Sequence, residues 1–165
     1  MGDYTSSIPS LLAARKVPAS DWALITNLMH AIVDSPTSYT PTWSTSGTAP
    51  ALGNGTLQGN YTRLGTSGLI FFRFTLVGGS TTTFGTGSWS FTLPTGIAQP
   101  TFVRFPWTGT ILDSGSSTFL VYGDFGGPNF LNPGTGTTYT AVTATSPMTW
   151  TTNDRLQIGG FYFGA

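Results

Sequence analysis

The sequence predicts a mainly β chain, an antiparallel β-sandwich of jelly-roll-like character, preceded by an N-terminal arm and one α-helix. Three observations predict it. Only 7% of the 165 residues are charged while 14% are aromatic, whereas an ordinary soluble domain carries about a quarter charged residues. From residue 37 onward, short stretches alternate apolar residues with Thr and Ser, and Gly or Pro separates them, which is the pattern of many short strands. The one segment with helical spacing comes before all of them.

The pattern changes at Pro36, so Met1–Pro36 reads as an attachment or oligomerisation unit and Thr37–Ala165 as the sandwich domain. Gly2–Ser10 reads as an extended arm and Leu11–Lys16 as a short helical turn or a peptide arm. Ser20 is suited to cap a helix over Asp21–Asp34, Asp21 suits the positive end of its dipole, and Pro36 stops it. Trp22, Ile25, Met29 and Ile32 fall on one face, and Leu24, Leu28 and Ala31 widen it. A helix this apolar does not stand alone in water; it packs on its own domain, on copies of itself or on another protein. Trp22, Ile25, Leu28, Met29 and Ile32 are therefore the candidate attachment or subunit interface.

The strands follow in order. Leu57–Leu64 is the first candidate, and Leu69–Val77 the next, with Ile70, Phe72, Phe74 and Leu76 sharing the inward face. Gly78-Gly79-Ser80 turns the chain. Ser88–Leu93 alternates, with Trp89, Phe91 and Leu93 inward, and Pro94 ends it. Thr101–Trp107, Thr110–Asp113, Thr118–Phe125, Thr138–Thr143, Met148–Thr151 and Asp154–Phe163 complete the set. Gly53-Asn54-Gly55 reads as a tight turn needing positive φ, and Trp43 and Tyr61 as core aromatics.

Composition excludes several function classes. The chain has no Glu, no Cys, one Lys (Lys16) and one His (His30). Acid–base and nucleophilic catalysis draw on those residues, so no enzyme is expected. Glycan hydrolysis needs two facing carboxylates, and the six Asp are dispersed. The six Lys and Arg are scattered and net charge is zero, so no basic stripe addresses nucleic acid. No apolar run approaches the roughly 18 residues of a membrane span, so no membrane insertion is expected. His30 lacks a second ligand at helical spacing, and Asp113, Asp124 and Asp154 lack the spacing of a calcium loop, so neither metal nor cofactor is expected.

Aromatics near turns offer one binding possibility, a platform on which hexose faces stack. Trp107, Tyr122, Phe125, Phe130, Tyr139 and Trp150 are the candidates, although aromatics also dominate cores and subunit interfaces. The turn-rich stretch Gly123–Thr138 is the expected contact region, with Tyr122, Phe125, Asn129 and Phe130 as its surface-binding residues. Weak contact with a glycan fits its Ser, Thr, Asn and Gly groups.

The most specific stretch is Tyr39-Thr40-Pro41-Thr42-Trp43, then Pro50–Leu57, Gly59-Asn60-Tyr61 and Gly65, continued by Gly85–Pro94. It resembles a module common in tail and surface proteins of bacteriophages, especially those of actinobacteria. Val17–Pro36 also looks like the short helical lead-in found before that module. The resemblance spans Val17–Pro94. It implies a virion structural protein with a β-sandwich, often a homotrimer, whose partners are other capsid or tail proteins. No catalytic residue carries over. The expected placement is the virion surface. A helix of this length spans only about 20 Å and no shaft follows, which favours a compact capsid-decoration knob. The alternative is a tail-fibre or receptor-binding protein that contacts host-surface glycans.

Overall fold

The strand segments bury one face, and that requirement organises the molecule. The computed structural model describes residues 19–32, 35–64, 68–94, 107–127 and 130–163, with the backbone alone for 19, 28–32, 124–127 and 130–132. The chain divides into two compact units, Met1–Asp34 and Ser35–Ala165.

The first unit contributes helix α1, Ala19–Ile32. It starts before the expected cap. Ser20 lies within the helix and its hydroxyl reaches Asp21 Oδ1 at 3.4 Å, because Ala19, a strong helix former, extends the helix backward. Gly2–Ser10 and Leu11–Lys16 lie outside the described residues.

The second unit is the mainly β, antiparallel sandwich that the sequence predicts. Its strands are β1 (Thr37–Tyr39), β2 (Trp43–Thr45), β3 (Thr56–Leu64), β4 (Leu69–Val77), β5 (Trp89–Thr92) and β6 (Trp107–Leu112). They continue with β7 (Thr118–Gly127), β8 (Phe130–Thr135), β9 (Thr140–Ala141) and β10 (Arg155–Phe163). Hydrogen bonding follows the path β1-β3-β4-β10-β6-β7-β8-β5-β2, with β9 on β8. Hairpins join β3 to β4, β6 to β7 and β7 to β8, and β10 slots between β4 and β6.

This path closes on itself. Laid flat, its two ends would lie about 38 Å apart at the usual strand spacing. Yet β1 and β2, at those ends, are joined by Thr40, Pro41 and Thr42, a link that reaches about 14 Å at most. The sheet must therefore curl until its inner faces meet. Thr42, the last residue of the link, extends the β2–β5 ladder: its N–H donates to Thr92 Oγ1 at 2.8 Å, and the Thr92 N–H donates to Thr42 O at 3.1 Å. Across the interior Phe74 of β4 meets Phe91 of β5, with ring centroids 4.9 Å apart.

The core is the inward half of each alternation. Ile70, Phe72, Phe74 and Leu76, and likewise Trp89, Phe91 and Leu93, are all buried as expected. Leu57, Trp107, Ile111, Val121, Leu156, Ile158 and Tyr162 join them, with Trp43 and Tyr61 packed at the margin. Trp89 is the hub of an aromatic cluster, with Trp43 and Trp150 each 4.7 Å away. Such pairs add about 0.5–1.5 kcal/mol beyond burial.

Several expected boundaries move. Gly109 does not break a strand: β6 runs continuously, because the glycine lets its backbone close on β10, where a Cβ would strike Gln157 O. Met148–Thr151 is not a strand. Its Trp150 N–H bonds Ala144 O within a loop, and Met148 and Trp150 still drop into the core. Thr138–Thr143 shrinks to the two residues of β9. Thr101–Phe105 lies outside the described residues, and Trp107 opens β6.

The largest correction concerns Gly123–Thr138. Its Gly, Pro and Asn residues read as turns, but most of it forms the end of β7 and all of β8. Pro133 is accommodated between the β5 and β9 pairings, where the ladder changes partner, and its carbonyl accepts the Val142 N–H at 2.9 Å.

Buried Asp154 ties two turns together. Its Oδ1 accepts the Ser114 N–H at 2.9 Å, and its Oδ2 accepts the N–H and hydroxyl of Thr151. Both oxygens face donors, which is opposite to what a calcium ligand needs. Among the described residues no group of three or more His, Cys, Asp or Glu converges.

Candidate functional site

Each strand that sends one set of side chains into the core sends the other set outward, and strand register decides which outward residues become neighbours. On the outer face of β3, β4, β10 and β6 they fall into rows. One row reads Gln58, Thr75, Gln157, Thr110; the next reads Asn60, Arg73, Gly159, Thr108. Beyond these, Thr62, Phe71 and Phe161 form a third.

Two shallow depressions lie on these rows. The first, about 450 Å³, has Gln58, Asn60, Arg73, Thr75, Thr110 and Gln157 around its rim, with Gly159 and Gly109 in its floor. The second, about 500 Å³, shares Asn60 and Arg73 with the first and is walled by Phe71, Phe161 and Pro36. Phe71 and Phe161 are exposed, with ring centroids 5.9 Å apart at a 43° tilt. The two depressions thus form one trough with a polar end and an aromatic end.

Glycine shapes the polar end. At Gly134 the Tyr139 ring, and at Gly59 the Tyr39 ring, already occupies the space a Cβ would take. At outward-facing Gly159 the nearest atoms to a Cβ would be Phe72 O at 3.5 Å and Arg73 Cβ at 3.8 Å, ordinary contacts, so a Cβ would fit there without a clash.

The chemistry of the lining is simple. Three amides and two threonine hydroxyls both donate and accept hydrogen bonds. Arg73 supplies a fixed positive charge, and no carboxylate, His or Cys lines either depression. Such a lining can bind and orient, and it holds no group that exchanges protons near neutrality. Beneath it, burial holds the phenols of Tyr39 and Tyr162 well above the ordinary tyrosine range, and repulsion from a neighbouring phenol adds to this.

The expected binding residues fare differently. Tyr122 does lie on this face, paired with Thr108 in the Gly159 row, but its hydroxyl is committed to Gly136 O at 2.6 Å. Its ring meets Tyr139 edge-on at 6.4 Å. Phe125 and Phe130 sit in β7 and β8 by backbone; their side chains, and all of Asn129, lie outside the described residues. Trp107 and Trp150 are core residues and cannot serve as a platform. In α1, Trp22, Leu24 and Ile25 are 58%, 67% and 42% exposed. The side chains of Leu28, Met29 and Ile32 lie outside the described residues.

Sequence reasoning missed Gln58, Asn60, Phe71, Arg73, Thr75, Gln157 and Phe161. Alternation marks each as outward, but nothing in the sequence announces that β10 lies beside β4 and brings them together.

No protein-family model, curated protein or solved structure matches the chain. Among the described residues no helix is long and apolar enough to cross a membrane.

Proposed function

We propose that this chain is a non-enzymatic structural protein of a bacteriophage virion, a homotrimeric surface knob that decorates the capsid. In this reading α1 and the residues before it seat the knob on other virion proteins or on copies of itself, and the sandwich is displayed. The observation that carries the reading is the exposure of Trp22, Leu24 and Ile25 on α1. Water is a poor environment for such a cluster, whose burial is worth about 1.5–3 kcal/mol per side chain. The motif resemblance supplies the setting, and the charge-poor composition suits a chain that buries surface in an assembly.

Two measurements test it. Native mass spectrometry of the purified chain should show trimers that Trp22→Ala and Ile25→Ala weaken; a stable monomer would reject the assembly. Quantitative mass spectrometry of purified particles should give a copy number on the capsid scale. A tail-scale copy number would instead support the tail or receptor-binding reading, which the trough on the outer face favours. Absence from particles would reject both.

A further inference from the structure

We propose that the trough over Gly159 is a binding site for a short saccharide carrying one carboxylate, a reading that rests on display of the sandwich. Charge comes first. Arg73 lies exposed on the outer face, and no carboxylate lines the trough to neutralise it, so an anionic group completes the site. One guanidinium calls for one negative charge.

The rest of the lining narrows the ligand class. Gln58, Asn60 and Gln157 each offer a carbonyl oxygen as well as N–H donors, and Thr75 and Thr110 offer hydroxyls. A fully ionised anion such as sulfate presents acceptors alone and would give those carbonyls no donors. A sugar ring presents hydroxyls that do both. The open floor at Gly159 admits a ring against the backbone, where a side chain would lift it away. One row along the strands, about 7 Å away, exposed Phe71 and Phe161 offer the apolar surface on which a second ring can lie. A peptide adding to a sheet needs an edge strand, and β4 and β10 are paired on both sides.

Titration of the isotope-labelled full chain by NMR tests this with matched pairs: cellobiouronic acid against cellobiose, and sialyllactose against lactose, each to about 20 mM. At least one acid should shift the amide signals of Arg73, Thr110 and Gly159 with a Kd of about 1 mM and a preference of about tenfold over its neutral partner. Arg73→Gln should erase the preference. Gly159→Val should abolish binding while leaving the melting temperature unchanged or higher, because the space is open and valine suits a strand. Silence with both acids, shifts confined to other surfaces, or a preference that survives Arg73→Gln would overturn the proposal. So would an oligomer that Gly159→Val dissociates, which would make this face an interface between copies. Binding is read in solution, so its failure leaves the virion placement standing, and a failed placement leaves binding standing.

Discussion

In the paired segments 42–55 and 79–92, threonine, serine and asparagine bond inward. Thr86 Oγ1 accepts the Thr48 N–H at 2.8 Å, Ser46 Oγ accepts the Ser88 N–H at 3.0 Å, and Thr82 Oγ1 accepts the Gly79 N–H and donates to Leu52 O. Asn54 Oδ1 takes both the N–H and the hydroxyl of Thr81, whose Oγ1 accepts the Asn54 N–H in return. On the outer face of β3, β4, β10 and β6, the same kinds of side chain point away from the fold. The loops need them because irregular backbone has no ladder to satisfy its N–H groups. The strands already have ladders on both sides, so their outward polar groups are available to a ligand. The same composition therefore serves the fold in one region and stands on the surface in the other.

Alkaline titration reads the phenols buried beneath the outer face and carries the largest expected effect. Tyr39 and Tyr162 are held protonated in the fold, above the ordinary phenol value of about 10. Their contribution is complete below that pH. Above it the unfolded chain releases protons that the folded chain keeps, so stability falls as pH rises. Denaturant unfolding at pH 9, 10 and 11 measures this; a flat profile would mean that these phenols are not buried.

Within the loops, Asn54→Ala removes a reciprocal set of hydrogen bonds and should cost about 2–3 kcal/mol. Thr86→Val removes one acceptor and should cost about 1 kcal/mol. Outer-face changes come last: Thr75→Val and Gln157→Ala should stay within about 0.5 kcal/mol of the parent. If the outer-face variants matched the loop variants in cost, the distinction between the two regions would collapse.

Much of the fold was legible because alternation reports burial directly. The inward faces of Leu69–Val77 and Ser88–Leu93 were correct residue by residue. What misled was chemistry with two meanings. Glycine signals a turn in Gly53-Asn54-Gly55, where Gly53 has φ 57° and the Gly55 N–H bonds Leu52 O. At Gly109 it signals close backbone approach. The Asn-Pro-Gly of β8 reads as a loop, yet pairs with β7. The trough was hidden for another reason: Arg73 and Gln157 lie far apart in sequence, and their meeting depends on strand order. Tyr122 lies on the outer face beside Thr108, and its hydroxyl is already engaged by Gly136 O.

The position of β10 also governs how the chain is made. It follows the other strands of the described residues in sequence yet pairs with β4 along its whole length and with β6 along half of it. Until it emerges from the ribosome, β4 and β6 each carry a bare edge, and the interior stays open on that side. Such edges recruit strands from neighbouring chains. Nascent copies on one message are therefore at risk of exchanging strands before each can close its own sheet. A premature stop before Arg155 would leave an adhesive fragment in place of a shortened sandwich.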